Sequence, residues 1–307
     1  MKKLPLQGII PPMVTPLTDN DTLDRDGTVR LVEYLIAGGV HGIFILGTTG
    51  EAQSLACHLR HELTELVCAT VAGRIPVLVG ITDTSLEESL RLARKAAECG
   101  AAGVVAAPPY YYAPSQPELL DYYRALADAL PLPLYLYNMP VHVKVTLEPQ
   151  TVRRLAAHPN IVGLKDSSSD MVYFQTLLYL LGDQPGFALF LGPEQLTAEG
   201  VMLGAAGGVN GGANVFPRLY VALYEAALAH DLERVKSLQY RVMAVCTSLY
   251  TVGRYASSAI KGIKCALWLK GICNDYLPYP HRRFLASERA QVRAVVDRLD
   301  HLIGSEP

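Results

Sequence analysis

Lys165 carries the most reactive side chain in a position where reactivity would matter. It lies in Ile161-Val162-Gly163-Leu164-Lys165-Asp166-Ser167-Ser168, an apolar run that reads as a buried strand ending in polar residues. An ammonium group in such a place is costly unless it is paired or neutral. Burial pushes a lysine toward the free amine, and a free amine attacks a carbonyl to form a Schiff base. The plainer alternative is a lysine that extends to solvent or pairs with Asp166. Three other segments weigh against it: Gly47-Thr48-Thr49-Gly50-Glu51, Pro108-Pro109-Tyr110-Tyr111-Tyr112 and Tyr135-Leu136-Tyr137-Asn138-Met139-Pro140. Each follows or ends an apolar run. Side chains alternate along a strand, so Tyr135 and Tyr137 share one face, as do Gly163 and Lys165. Singly, Tyr137 is an aromatic core filler and Thr48-Thr49 a polar turn. Together the segments supply an amine nucleophile, a phenol to move protons, and hydroxyl and backbone donors for a carboxylate. A Schiff-base enzyme acting on a 2-oxo acid needs that set.

Such residues must be positioned by a scaffold, and the chain alternates strand-like with helical runs almost to residue 214. Strands are expected at 8–17, 42–47, 76–81, 103–107, 134–137, 161–165, 187–191 and 207–210. Their apolar character on both faces implies a parallel sheet covered by helices. Eight such units without a Gly-x-Gly-x-x-Gly turn favour a (β/α)8 TIM barrel over an open dinucleotide-binding sheet. Beyond Asn214 the patterns are helical only, clearest at 240–254 and 257–270. The expected division is a catalytic barrel over 1–230 and a C-terminal helical extension over 231–307. In a barrel of this kind the active site lies at the C-terminal ends of the strands, where all four segments fall. The glycine-rich stretch 204–212 reads as close packing at the barrel closure, in preference to a phosphate site.

Composition bounds the rest. The chain has 307 residues, half of them hydrophobic, so it can bury a large core. A net charge of −2 and a pI near 6.4 give no electrostatic reason to expect nucleic acid or an anionic membrane as partner. Met1-Lys2-Lys3 resembles the start of a signal peptide, but Pro5, Pro11, Pro12 and Pro16 interrupt the apolar stretch next to it. No apolar run approaches a membrane span. Six scattered cysteines with no CxxC pair read as reduced thiols of a cytoplasmic protein. His58 and His61 read as a surface helix face, not a metal site.

Gly47-Thr48-Thr49-Gly50-Glu51, Tyr110-Tyr111, Tyr137-Asn138-x-Pro140 and Gly163-x-Lys165, in this order and spacing, resemble the dihydrodipicolinate synthase and N-acetylneuraminate lyase superfamily. The resemblance covers roughly the barrel part, and a helical tail is typical of the group. It implies that Lys165 forms the Schiff base with pyruvate or a pyruvate-derived moiety and that Tyr137 is the general acid/base. It further implies that Thr48 and Thr49 bind the carboxylate, with Thr48 also relaying protons. Tyr111 would join a relay across a subunit interface, and Gly192 and Val209 would line the pyruvate pocket through backbone atoms. A homotetramer, arranged as a dimer of dimers, and no cofactor beyond the lysine imine are implied as well. One segment departs from the synthases, which carry arginine two residues after the proline of Tyr-Asn-x-Pro. Here Pro140-Val141-His142-Val143-Lys144 places His142 there. A histidine, mostly neutral at pH 7, lacks arginine's bidentate fork, and Lys144 would assist only from an extended loop. Asp166-Ser167-Ser168 resembles the sugar-acid and hydroxy-oxoglutarate aldolase branches more than the neuraminate branch. The expected activity is therefore a class I aldolase acting on a 2-keto-3-deoxy sugar acid. Dihydrodipicolinate synthase, a dehydratase using the same imine, and a non-catalytic 2-oxo acid sensor are the alternatives.

Overall fold

Strands that are apolar on both faces need cover on both, and in this chain the helices provide it outside while side chains fill the inside. The computed structural model describes residues 6–182 and 184–304. Met1-Lys2-Lys3 and Pro5, from the signal-like start of the chain, lie outside the described residues. In chain order the strands are β1 (Gly8–Ile9), β2 (Leu17–Asp19), β3 (Thr22–Leu23), β4 (Ile43–Ile45), β5 (Val77–Gly80), β6 (Gly103–Ala106), β7 (Leu134–Asn138), β8 (Ile161–Asp166), β9 (Ala188–Leu191) and β10 (Gly207–Gly208). The helices are α1 (Arg25–Ala37), α2 (Cys57–Val71), α3 (Leu86–Glu98), α4 (Gln116–Ala129), α5 (Pro140–Val143), α6 (Pro149–Ala156), α7 (Met171–Leu181), α8 (Thr197–Met202), α9 (Pro217–Leu228), α10 (Leu232–Ser248), α11 (Ser258–Leu269) and α12 (Ala286–Gly304).

Eight strands form one parallel sheet in the order β1-β10-β9-β8-β7-β6-β5-β4. The sheet curls until its two edges meet. Past β1 the backbone N–H of Met13 donates to the Phe44 carbonyl (2.8 Å), and that of Phe44 to the Pro11 carbonyl (3.0 Å). Gly207, on β10, shows why glycine is needed on the other side of β1. It has φ +155°, and a Cβ there would lie 2.0 Å from the Gly8 carbonyl oxygen. This agrees with close packing as the role of the glycine-rich stretch. The inner face is filled by Phe44, Leu78, Val105, Tyr135, Tyr137 and Phe190, while a second, larger cluster joins the outer face to the helices as far as Leu299.

Two expectations are corrected. The first strand is only Gly8–Ile9, not 8–17, because Pro11, Pro12 and Pro16 have no N–H to donate and the chain turns into the antiparallel β2–β3 hairpin. The expected helix 240–254 is the second half of α10, which starts at Leu232 and stops at Ser248. Gly253 (φ +76°) and Arg254 (φ +57°) then take left-handed backbone that no helix continues through. Between α11 and α12 lies an irregular segment that hydrogen-bonds to Asp24 and Asn20 near the start of the chain. No helix among the described residues is long and apolar enough to cross a membrane.

Candidate active site

Register brings the two principal residues together. Tyr137 on β7 pairs with Lys165 on β8, and Tyr135 with Gly163, so both pairs face the barrel interior. Lys165 is 7% exposed. Its Nζ lies 4.2 Å from the centroid of the Tyr137 ring and 5.1 Å from that of Phe44. Among the described residues no carboxylate pairs with it. Asp166 points to the other face of the strand, where it accepts from Asn138 Nδ2 (2.8 Å), Ser168 Oγ (2.8 Å) and Ser168 N (3.1 Å). Burial pushes the Asp166 carboxyl above the usual range, against the lowering effect of those donors. The pairing of Lys165 with its sequence neighbour is thereby excluded.

The phenol of Tyr137 lies 3.2 Å from Thr48 Oγ1. Thr48 and Thr49 occupy a turn bracketed by two residues in left-handed backbone, Leu46 (φ +58°) and Glu51 (φ +57°). Lys165, Tyr137, Thr48, Thr49, Gly192 and Val209 all line one inner cavity of about 190 Å³. Six of the eight expected site residues thus converge at the C-terminal ends of the strands. The inner cavity shares Thr48, Tyr137, Met139 and Ile260 with an outer one of about 440 Å³. An amine, a phenol and two hydroxyls around a space that fits a three-carbon acid, opening into a larger one, can form and turn over an imine.

The remaining two residues are placed differently. His142 lines the outer cavity, on α5. The loop is therefore not extended, and Lys144 caps the helix in left-handed backbone (φ +62°) and lines neither cavity. Tyr111 also lines neither. It is 72% exposed with its ring edge-on to Tyr112, while Tyr110 borders the outer cavity.

Three features were not anticipated. Glu194, just past the end of β9, is buried beside the inner cavity. It accepts from Gly212 N (2.7 Å), Tyr250 Oη (2.8 Å), Tyr220 Oη and Cys246 Sγ (3.5 Å). Burial pushes its carboxyl up and these donors oppose that. Its place after a strand end was a usable signal; the donors, from distant helices, gave none. Glu51, last residue of the threonine turn, forms a buried ion pair with Lys264 of α11, and Lys264 Nζ also donates to the Tyr276 carbonyl (2.7 Å). Burial raises the Glu51 carboxyl, while Lys264 and more weakly His281 pull it back. Finally, the extension supplies one wall of the outer cavity, through Ala256, Ser257, Ile260 and His281.

A profile of the dihydrodipicolinate synthetase family matches residues 5–299. The chain belongs to that family. It is 31% identical over 296 residues to a 4-hydroxy-tetrahydrodipicolinate synthase of Methanospirillum hungatei, covering 96% of this chain and 99% of the relative. It is 39% identical over 246 residues to the enzyme of that name from Thermus thermophilus, covering 80% and 81%. The solved dihydrodipicolinate synthase of Bacteroides thetaiotaomicron superimposes with a TM-score of 0.94 at 53% identity, over 96% of this chain and 99% of that one. YagE, a prophage protein of the same family from E. coli K12 solved with pyruvate, gives 0.90 at 29% identity over 96% and 98%. As a family member with this site, the protein is an enzyme, a lyase of the class I aldolase type.

Proposed function

We propose that the curled sheet works as a closed (β/α)8 barrel over 1–230, completed by the extension over 231–307, and that it joins pyruvate to Lys165 as an imine. The amine attacks the 2-oxo carbon and water leaves. A methyl proton departs through Tyr137, with Thr48 as relay, and the resulting enamine attacks an aldehyde carbon. Tyr137 returns the proton to the new hydroxyl, and water hydrolyses the imine to free Lys165; cleavage is the same sequence reversed. Thr48 and Thr49 hold the carboxylate, while Gly192 and Val209 shape the pocket through their backbones. The observation that carries this is a buried lysine with no counter-ion among the described residues, in one cavity with a phenol already hydrogen-bonded to a threonine. Pyruvate followed by borohydride should add one reduced pyruvyl group to Lys165 by intact mass and peptide mapping. An adduct on Lys261 or Lys264 instead, or none, would overturn it.

For the second substrate, the names of the relatives support 4-hydroxy-tetrahydrodipicolinate synthase, with aspartate semialdehyde as the acceptor, ahead of the sugar-acid aldolase expected from sequence. A specific observation favours the latter as the second reading. No arginine or lysine among the described residues lines the outer cavity, whereas Gln53, Ser54, Thr82 and Ser257 offer partners for hydroxyls. Turnover of aspartate semialdehyde against a set of 2-keto-3-deoxy sugar acids decides between them. Synthase kcat/KM of about 10⁴ M⁻¹s⁻¹ or more selects the first. A cytoplasmic homotetramer, with Tyr111 completing a relay across an interface, is part of the proposal. The large apolar side chains left exposed, Val172 (77%) and Tyr179 (87%) on α7, support association.

A further inference from the structure

The outer cavity has one wall that the barrel does not make. It comes from the start of α11 and from the segment between α11 and α12, where His281 is half-buried and faces the cavity. That segment is tied down at several points. Lys264 Nζ donates to the Tyr276 carbonyl (2.7 Å), Asn274 N to Asp24 Oδ2 (2.8 Å) and Tyr279 N to Asn20 Oδ1 (2.8 Å). His281 is thus held by its backbone while its ring makes no hydrogen bond or ion pair among the described residues. Beside it, Glu51 is matched by Lys264, so this wall has no uncompensated negative charge. The other imidazole of the cavity, His142, is exposed on α5, where water screens any charge it meets.

We infer that His281 is a specificity-determining residue, which binds a carboxylate at the far end of the substrate while Lys165 holds the 2-oxo end. A half-buried imidazole with both nitrogens available, facing a cavity that shares a wall with the imine site, suits such a group. A contact to a carboxylate there is worth more than at the exposed His142. The inference rests on the imine at Lys165 and is independent of which aldehyde is the natural acceptor.

Two 2-oxo acids of equal length make the test: 2-oxoadipate, which ends in a carboxylate, and 2-oxohexanoate, which ends in a methyl group. Each condenses with Lys165 with loss of water, and borohydride reduces the C=N bond to a stable amine read by intact mass. In the wild type, half-maximal labelling should need roughly tenfold less 2-oxoadipate than 2-oxohexanoate, the scale of one hydrogen bond to a charged group. His281→Leu and His281→Phe, which carry no donor and are checked for unchanged melting temperature, should bring the two concentrations together and leave the pyruvate value unmoved. Equal labelling by both acids in the wild type, or a preference that survives both substitutions, would overturn the inference. If pyruvate itself labels nothing, the imine assignment has failed first and this proposal goes with it.

Discussion

Lys165 and Lys264 are both buried in this protein, at 7% and 0% exposed, and their surroundings differ in one respect. Lys264 faces the Glu51 carboxylate and a backbone carbonyl, whereas Lys165 faces the rings of Tyr137 and Phe44. A carboxylate in a dry site matches an ammonium closely, and removing either partner leaves an isolated charge. Aromatic faces are a much weaker partner for a cation, and they block no approach to the nitrogen by a carbonyl. One lysine is consumed by structure; the other has no carboxylate partner among the described residues. The two are also linked, since Glu51 ends the same turn that carries Thr48 and Thr49. The ion pair therefore fastens α11 to the strand end where the substrate carboxylate would be held.

The contrast can be broken at each side. Lys165→Ala should abolish both the pyruvate adduct and turnover, whereas Lys264→Met should still yield an adduct at Lys165. Labelling that persists in Lys165→Ala would remove the distinction. Next in size, Tyr137→Phe keeps the ring beside Lys165 but not the proton, so kcat should fall by about 10²–10⁴ with little change in melting temperature. Near wild-type turnover in that variant means the phenol only packs.

Lys264→Met should cost about 3–5 kcal/mol of stability in denaturant titration, because Glu51 is then buried alone. Pairing it with Glu51→Gln should restore part of that loss. If the double variant is as unstable as the sum of the two single ones, the residues are not acting as a pair. The smallest effect is expected for Thr48→Val and Thr49→Val. Each should weaken pyruvate labelling by about 1–3 kcal/mol where a hydroxyl meets the carboxylate. Unchanged labelling in both would place the carboxylate elsewhere.

Much of this site was legible because β-strands alternate their side chains. Lys165 and Tyr137 fall at strand ends, so the period of the strands lets them share one face, whereas Gly192 and Val209 came only from the family resemblance. His142 was legible as a cavity residue but its backbone was not. Pro140 and the residues after it form a helical turn, which moves Lys144 out of reach. Tyr111 and Tyr110 show the limit of a motif: neighbouring tyrosines have the same local pattern, and only the folded loop decides that Tyr110 borders the cavity. Lys264 and His281 had no local signature at all, since Glu51 lies more than two hundred positions before Lys264, and the barrel residues that share the outer cavity with His281 lie more than a hundred positions before it.

By itself, then, the order of residues determined the alternation of strands and helices, the parallel sheet, the family, and the lysine and tyrosine that share a face. Those depend on interactions of short range or on a periodicity repeated along the chain. Tertiary structure alone decided which buried lysine is paired, which tyrosine meets the cavity, and that the extension builds one wall of the outer cavity. Charge pairing and cavity shape depend on distances between segments remote in sequence, and those distances exist only once the core has packed.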